Sequence, residues 1–452
     1  MKKDCSNEIS RRRADNRAFA EGAVRSCLRK HTVTDGYIPG QVIYNLGEYP
    51  ASFSIRPTEY DDRLIRSLSE RGVGLIQIHE EWNDSMRRLG ADKFSSHDPE
   101  GLREFIRLCH SYNIKVIPYI SSGFFDSRDP DFTERFAPRH CHELNSSYYR
   151  YRMCDPSSPE WVGYLMGKIE RLLDEYEFDG LFNDMGYPVD YDRHNIGYLD
   201  YDSALDELLL RIYGLVKSRG GIVKIHEGKC LAPATTGKAY DYLWVGEGVK
   251  GLSSMPATAR FEPYVVPCPD FRFMSERDEN AFYSNAITFM QFVLRVDGRP
   301  ITGERADVPG VEYIYNPQND EKKHFDNVKL WYDSHPDGPH VYSEWSSIPD
   351  NPKMRERWFD YLALYRPMVT EGSRVYIDVT DSALIHGPVP QGVHLSLFVN
   401  DGVYLCISNL GSTERTVSLA GEWKCRITGE KARQITLGAG EIRFLLREEA
   451  TP

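Results

Sequence analysis

Short apolar runs alternate with longer stretches in which apolar residues return every three or four positions, and this rhythm holds from residue 41 to about residue 294. Gln41–Asn45 (QVIYN), Val73–Ile78 (VGLIQI), Ile114–Ile120 (IKVIPYI), Phe178–Asp184 (FDGLFND), Gly221–His226 (GIVKIH), Asp241–Gly246 (DYLWVG) and Tyr264–Pro267 (YVVP) have the length and composition of buried strands. Between them, Leu102, Phe105, Ile106 and Cys109 describe one face of a helix, as do Leu64, Ile65 and Leu68, then Trp161, Leu165, Ile169 and Leu172, then Leu205, Leu208, Leu209, Ile212 and Val216. The punctuation agrees. Thr58, Asp98 and Ser158 stand at N-cap positions, Pro99 and Pro159 suit a first helical position, and Gly72, Asn113 and Gly220-Gly221 close the preceding helices. A further helix is predicted over about 280–294, and a long loop from residue 121 to Pro156.

Strands that alternate with helices imply parallel pairing through right-handed crossovers. At least six such units before residue 300 match the size of a (β/α)8 TIM barrel. The competing doubly wound sheet usually carries a glycine-rich phosphate loop after a strand, and no GxxxxGK[ST] motif occurs. No eighth strand stands out, and residues 296–345 read as long functional loops. Met354–Met368 reads as a linking helix. The pattern changes near residue 371: RVYIDV, GVHLSLFV, GVYLCIS, RTVSLAG and IRFLL follow one another between Gly, Asn and Asp, as in an antiparallel β-sandwich. The predicted organisation is an N-terminal arm over 1–35 with a short helix near 16–28, a catalytic barrel over 36–370, and a small C-terminal β-sandwich domain over 371–452.

Composition narrows the partners. Of 452 residues, 41% are apolar and 27% charged, as in an ordinary globular protein. The net charge of −12 lacks the basic footprint that nucleic acid or an anionic membrane surface requires, so neither is an expected partner. No apolar run reaches the roughly 20 residues of a membrane span, and the basic start MKKDCSNEISRRRADNR has no apolar core of a secretory signal behind it. With nine cysteines and no CxxC pair, the chain reads as cytoplasmic, its thiols acting as small apolar residues. His140-Cys141-His142 has no second ligand pair at structural-zinc spacing, and no metal is expected.

In a (β/α)8 barrel the chemistry sits at the C-terminal ends of the strands. The residues there are His79, Glu80 and Trp82; Tyr119; Asp184 and Tyr187; His226 and Glu227; Trp244 and Glu247; and Asp270. Acids beside aromatic rings suit a sugar, which offers hydroxyl edges to carboxylates and C–H faces to rings. Glycoside hydrolysis needs two carboxyl groups about one bond, one an acid and the other a nucleophile or base. Asp184 ends an apolar strand and is followed by Gly186-Tyr187-Pro188, which turn the chain out into a loop; it is the expected nucleophile. Glu247, between two glycines, and Glu227, beside His226, are rivals for acid/base. His79, Glu80, Trp82, Tyr119, Tyr187, His226, Trp244 and Asp270 are the expected substrate-binding set, although Trp82 and Tyr187 suit packing equally. This chemistry requires no metal or organic cofactor, and the expected partner is an oligosaccharide or other glycoside. A non-catalytic carbohydrate-binding protein on a degenerate barrel is the alternative.

FDGLFNDMGYP (178–188) resembles the fourth-strand motif of retaining α-glycosidases of the α-amylase and α-galactosidase kind. DYLWVGEGV (241–249) is similar to sixth-strand segments of the α-galactosidase-like group, and IHEG (225–228) to the fifth strand of the α-amylase group. Residues 87–121 resemble the second helix and third strand of uncharacterised glycosyl hydrolases with this barrel. The resemblance implies a barrel with a C-terminal β-domain, a retaining mechanism on α-linked sugars and Asp184 as nucleophile. It leaves the acid/base open between Glu247, by the α-galactosidase pattern, and Glu227, by the α-amylase pattern.

Overall fold

In the computed structural model the described residues are 2–24, 29–33, 36–46, 54–78, 82, 94–96, 98–138, 143–145, 150–184, 198–227, 239–245, 264–268, 275–299 and 352–448. In chain order the elements are α1 (Lys2–Ala23), β1 (Arg29–Thr32), β2 (Gln41–Asn45), α2 (Glu59–Glu70), β3 (Leu75–Ile78), α3 (Pro99–Ser111), β4 (Lys115–Ser121), β5 (Phe124–Asp126), β6 (Glu143–Asn145), β7 (Arg150–Met153), α4 (Pro159–Glu175), β8 (Gly180–Asp184), α5 (Tyr198–Ser218), β9 (Ile222–Glu227), β10 (Tyr242–Val245), β11 (Val265–Pro267), α6 (Glu276–Ala286), β12 (Arg295–Gly298), α7 (Pro352–Tyr365), β13 (Arg374–Ile377), β14 (Val393–Val399), β15 (Val403–Asn409), β16 (Arg415–Cys425), β17 (Lys431–Leu437) and β18 (Ile442–Leu446).

Eight strands form one parallel sheet in the order β11-β10-β9-β8-β4-β3-β2-β12. The sheet curls until its two edges meet, where the Leu294 N–H donates to Pro267 O at 2.7 Å. This arrangement, with helices between the strands, fits a (β/α)8 barrel. Side chains alternate across it as a pleated strand requires. Val223 and Ile225 of β9 and Leu243 and Val245 of β10 pack outward with the helices, while Ile222, Tyr242 and Trp244 join Ile43, Ile117 and Phe182 in a separate inner core. The helix starts follow the capping residues: Asp98 accepts from Gly101 N–H at 3.0 Å, and Ser158 from Trp161 N–H at 3.2 Å. Asn113, with φ 58°, ends α3 in the left-handed region that Asn tolerates. At Gly180 (φ 143°) the backbones of β8 and β9 come so close that a Cβ would lie 1.9 Å from Ile222 O.

Several details differ from the sequence reading. The eighth strand is β12, whose residues pair with β2 from Arg295↔Val42 to Gly298↔Asn45, in a segment expected to be loop. Its outward positions are charged: Asp297 accepts from Arg355 of α7 at 2.7 Å and is 2% exposed. Arg299, wholly buried just beyond, donates to both carboxylate oxygens of Asp61 at 3.0 Å and to four backbone carbonyls at residues 46 and 54–56. Buried ion pairs in place of apolar residues hide a strand from hydropathy. The stretch expected as a long loop before Pro156 contains β5, β6 and β7, an antiparallel sheet in the order β5-β7-β6.

The C-terminal region is antiparallel, in the order β1-β13-β14-β15-β18-β16-β17, and is compatible with the expected sandwich. β16 bends through a register shift between Ser418 and Trp423. Leu395, Leu397, Leu405, Ile407 and Leu437 form its core together with Ala20 and Val24 from the N-terminus. The N-terminal segment is thus bound to this sheet: β1 pairs with β13, Asn16 donates to Asn400 O at 3.0 Å, and Arg13 meets Asp401 at 2.5 Å. The helix expected near 16–28 is the longer α1.

Candidate active site

Parallel strands in register bring inward-facing residues of neighbouring strands side by side. Tyr119 pairs with Phe182, Phe182 with Lys224, Lys224 with Tyr242, and His226 with Trp244. Two residues further along the same inward face from Phe182 lies Asp184, at the C-terminal end of β8. The Tyr119 hydroxyl donates to Asp184 Oδ2 at 2.7 Å, and His226 Nδ1 lies 2.5 Å from Asp184 Oδ1. The carboxylate is 17% exposed and the His226 side chain 4%. Both oxygens are engaged, so the carboxylate is fixed in orientation by charge-assisted bonds from two other strands. Beneath it the rings interlock: His226 and Trp244 centroids are 4.0 Å apart, Phe182 meets Trp244 edge-on at 5.3 Å, and Tyr119 and Phe182 are 5.8 Å apart. The arrangement offers a carboxylate at the barrel mouth, a phenol and an imidazole hydrogen-bonded to it, and an aromatic floor.

Four of the expected residues, Asp184, Tyr119, His226 and Trp244, therefore stand together. Trp82, expected in the substrate-binding set, is wholly buried; its indole N–H donates to Tyr119 O at 3.0 Å and its ring meets Phe178 edge-on, so its surroundings are those of a core residue. Glu227 is the last residue of β9, paired with Val245, and its side chain lies outside the described residues. His79, Glu80, Tyr187, Glu247 and Asp270 lie outside them too, as does His140-Cys141-His142. Among the described residues, no group of three or more His, Cys, Asp or Glu could hold a metal ion, and no helix is long and apolar enough to cross a membrane.

One inner residue escaped the sequence reading. Lys224 sits in the middle of β9 and is 0% exposed. Burial pulls its ammonium down to about 7, slightly offset by the nearby Cys268 thiol. The available signal was a lone lysine inside the apolar run GIVKIH, at the same alternation phase as His226.

No family model matches the chain, and no curated protein matches it. Solved structures share the fold. An α-amylase from Geobacillus thermoleovorans, complexed with acarbose, is 12% identical with a TM-score of 0.52, over 90% of this chain and 98% of that one. The type III pullulan hydrolase from Thermococcus kodakarensis is 12% identical with a TM-score of 0.54, over 92% and 76%. An α-glucosyl transfer enzyme is 12% identical with a TM-score of 0.56, over 91% and 99%. At this identity the likeness is one of architecture.

Proposed function

We propose that the chain is a glycoside hydrolase acting on α-linked sugars with retention, in which Asp184 is the nucleophile. The observation that carries this reading is the placement of Asp184: a strand-terminal carboxylate at the C-terminal mouth of a parallel barrel, aimed by Tyr119 and His226. The α-amylase and pullulan hydrolase sharing the fold support it by analogy of architecture. In this reading Asp184 attacks the anomeric carbon while a carboxylic acid, Glu247 or Glu227, protonates the leaving oxygen; water then releases the sugar, with that residue now acting as base. Retention calls for a carboxyl separation of about 5–5.5 Å. As the covalent bond forms, the hydrogen bond on the attacking oxygen gives way, and the other, from Tyr119 to Oδ2 or from His226 to Oδ1, steadies the carboxylate oxygen that does not attack. Trp244 and Phe182 close the floor beneath the ring. The substrate is an oligosaccharide or other glycoside, and no cofactor takes part.

The alternative, a carbohydrate-binding protein without turnover, draws on the same pair of bonds, since both Asp184 oxygens already have donors. Aryl α-glycosides and aryl β-glycosides decide between the two. Asp184→Ala is expected to abolish turnover of an α-glycoside, and azide is expected to restore it as the glycosyl azide. A mutant as active as the wild type would end the nucleophile assignment. A wild type that binds oligosaccharide but turns over none of the panel would favour the alternative. Comparing good and poor leaving groups in Glu247→Gln and Glu227→Gln then assigns the acid, whose loss slows only the poor leaving group severely.

A further inference from the structure

Two buried N–H donors on adjacent strands point into the barrel without an acceptor among the described residues. One is Nζ of Lys224 on β9 and the other Nε1 of Trp244 on β10. Leaving such groups unpaired is unfavourable, and an oxygen atom placed between these strands would relieve it. The two differ in chemistry. The indole N–H only donates, whereas an amine that has lost its proton is also a nucleophile. Burial favours that form: Lys224 is 0% exposed, and Phe182, Ile222 and Tyr242 beside it on the inner face belong to one apolar core, which outweighs the weak attraction of the Phe182 ring, 6.0 Å away, for the ammonium. With its pKa brought down to about 7, half the amine is free near neutrality, against roughly one exposed lysine in 2,500.

We infer that Lys224 is an imine-forming amine and that, with Trp244, it makes a site for a small hydroxylated aldehyde or ketone. The nitrogen lone pair attacks the carbonyl carbon. As the C–N bond forms, the π pair moves to oxygen, where the Trp244 N–H donates and a proton is taken up. The nitrogen then gives up a proton to form the carbinolamine, its hydroxyl takes up a second proton, the C–O bond breaks as water leaves, and the nitrogen releases its remaining proton to leave the imine in place. Amine plus carbonyl gives imine plus water, so no oxidant, reductant or cofactor is needed. His226, two residues along the same face and packed on Trp244 at 4.0 Å, is the acid–base group that serves these transfers. A hydroxyl on the neighbouring carbon would meet the Tyr119–Asp184–His226 group, which is why a hydroxylated carbonyl fits better than a plain one.

This inference does not rest on the glycosidase reading. The full chain is incubated with glycolaldehyde and sodium cyanoborohydride at pH 7, and its peptides are mapped by mass spectrometry. The expected result is a hydroxyethyl adduct on Lys224 at least tenfold above the average of the other lysines, with a rate that rises about a midpoint near pH 7. Trp244→Phe should slow the adduct about tenfold. Lys224→Arg should remove it while circular dichroism stays native, and if that variant does not fold the wild-type map alone decides. Adducts confined to exposed lysines, or a Lys224 rate that climbs only towards pH 10, would overturn the inference. Aryl glycoside turnover measured on the same samples keeps the failure of one reading separate from that of the other.

Discussion

Asp184 owes its posture to two residues that lie far from it in sequence, and each can be removed singly. Tyr119→Phe deletes a 2.7 Å bond and little volume. If Asp184 is the nucleophile, kcat is expected to fall about 10- to 100-fold with KM nearly unchanged, because the lost donor acts on the charge redistributed in the transition state. Steady-state kinetics on an α-glycoside checks this, and an unchanged kcat would remove Tyr119 from the machinery. Lys224 permits a test independent of activity. Its pKa is lowered to about 7 in the folded chain and is about 10.4 when unfolded. Between those values the unfolded chain holds the extra proton, so stability rises with pH across that window, and the penalty is complete below about pH 7. Lys224→Met is therefore expected to stabilise the protein clearly at pH 6 and much less at pH 10. Urea midpoints at the two pH values measure it, and an equal gain at both would contradict a buried, reluctant ammonium.

At the scale of elements, strand crowding and strand charge explain where sequence reading worked and where it stopped. Gly180 marks the tightest approach of β8 to β9, and Gly180→Ala would drive a methyl into the Ile222 carbonyl. A loss of at least ~3 kcal/mol is expected, since neither backbone can yield without disturbing the register that sets Asp184 beside His226. Chemical denaturation gives the number, and a loss below 1 kcal/mol would mean the strands are not held this close. Strands β2, β3, β4, β8, β9, β10 and β11 were legible because their residues are apolar on both faces, as a sheet covered by helices demands. β12 was not, because Asp297 forms ion pairs with Arg295 and Arg355 in place of apolar contacts. The antiparallel pairing of β5, β6 and β7 was hidden for another reason: strands of three or four residues carry too few positions for alternation to register. The cluster about Asp184 was partly legible, since strand ends can be read from sequence. The depth of Lys224 and the burial of Trp82 could not be, because each depends on which face of the backbone a residue occupies.

On the scale of the whole molecule, the two ends of the chain are one structure. Deleting residues 1–32 would strip β13 of a partner, uncover the apolar core beneath Ala20 and Val24, and remove the Arg13–Asp401 pair. Hydrogen exchange is expected to accelerate at least tenfold in β13 and β14 while the barrel strands keep their protection. Uniform protection in the truncated chain would show that the N-terminal segment only decorates the sheet. The barrel itself lies between these ends and is closed through its own strands, while Val375, Ile377, Phe398 and Phe444 of the C-terminal sheet share its outer core, so the deletion is read against a barrel that keeps the rest of that sheet.

That joining of ends has a consequence during synthesis. Arg13 and Asp401 are separated by 388 residues. At ribosomal speeds of about 5–20 residues per second, α1 and β1 wait roughly 20–80 s before the strands that will receive them leave the exit tunnel. Throughout that interval Val24 and the pairing edge of β1 have no home. Shielding of residues 13–32 during that interval, or faster delivery of the later strands, is then expected to raise the yield of folded chain, and codon usage across the middle of the message is one way to change the wait.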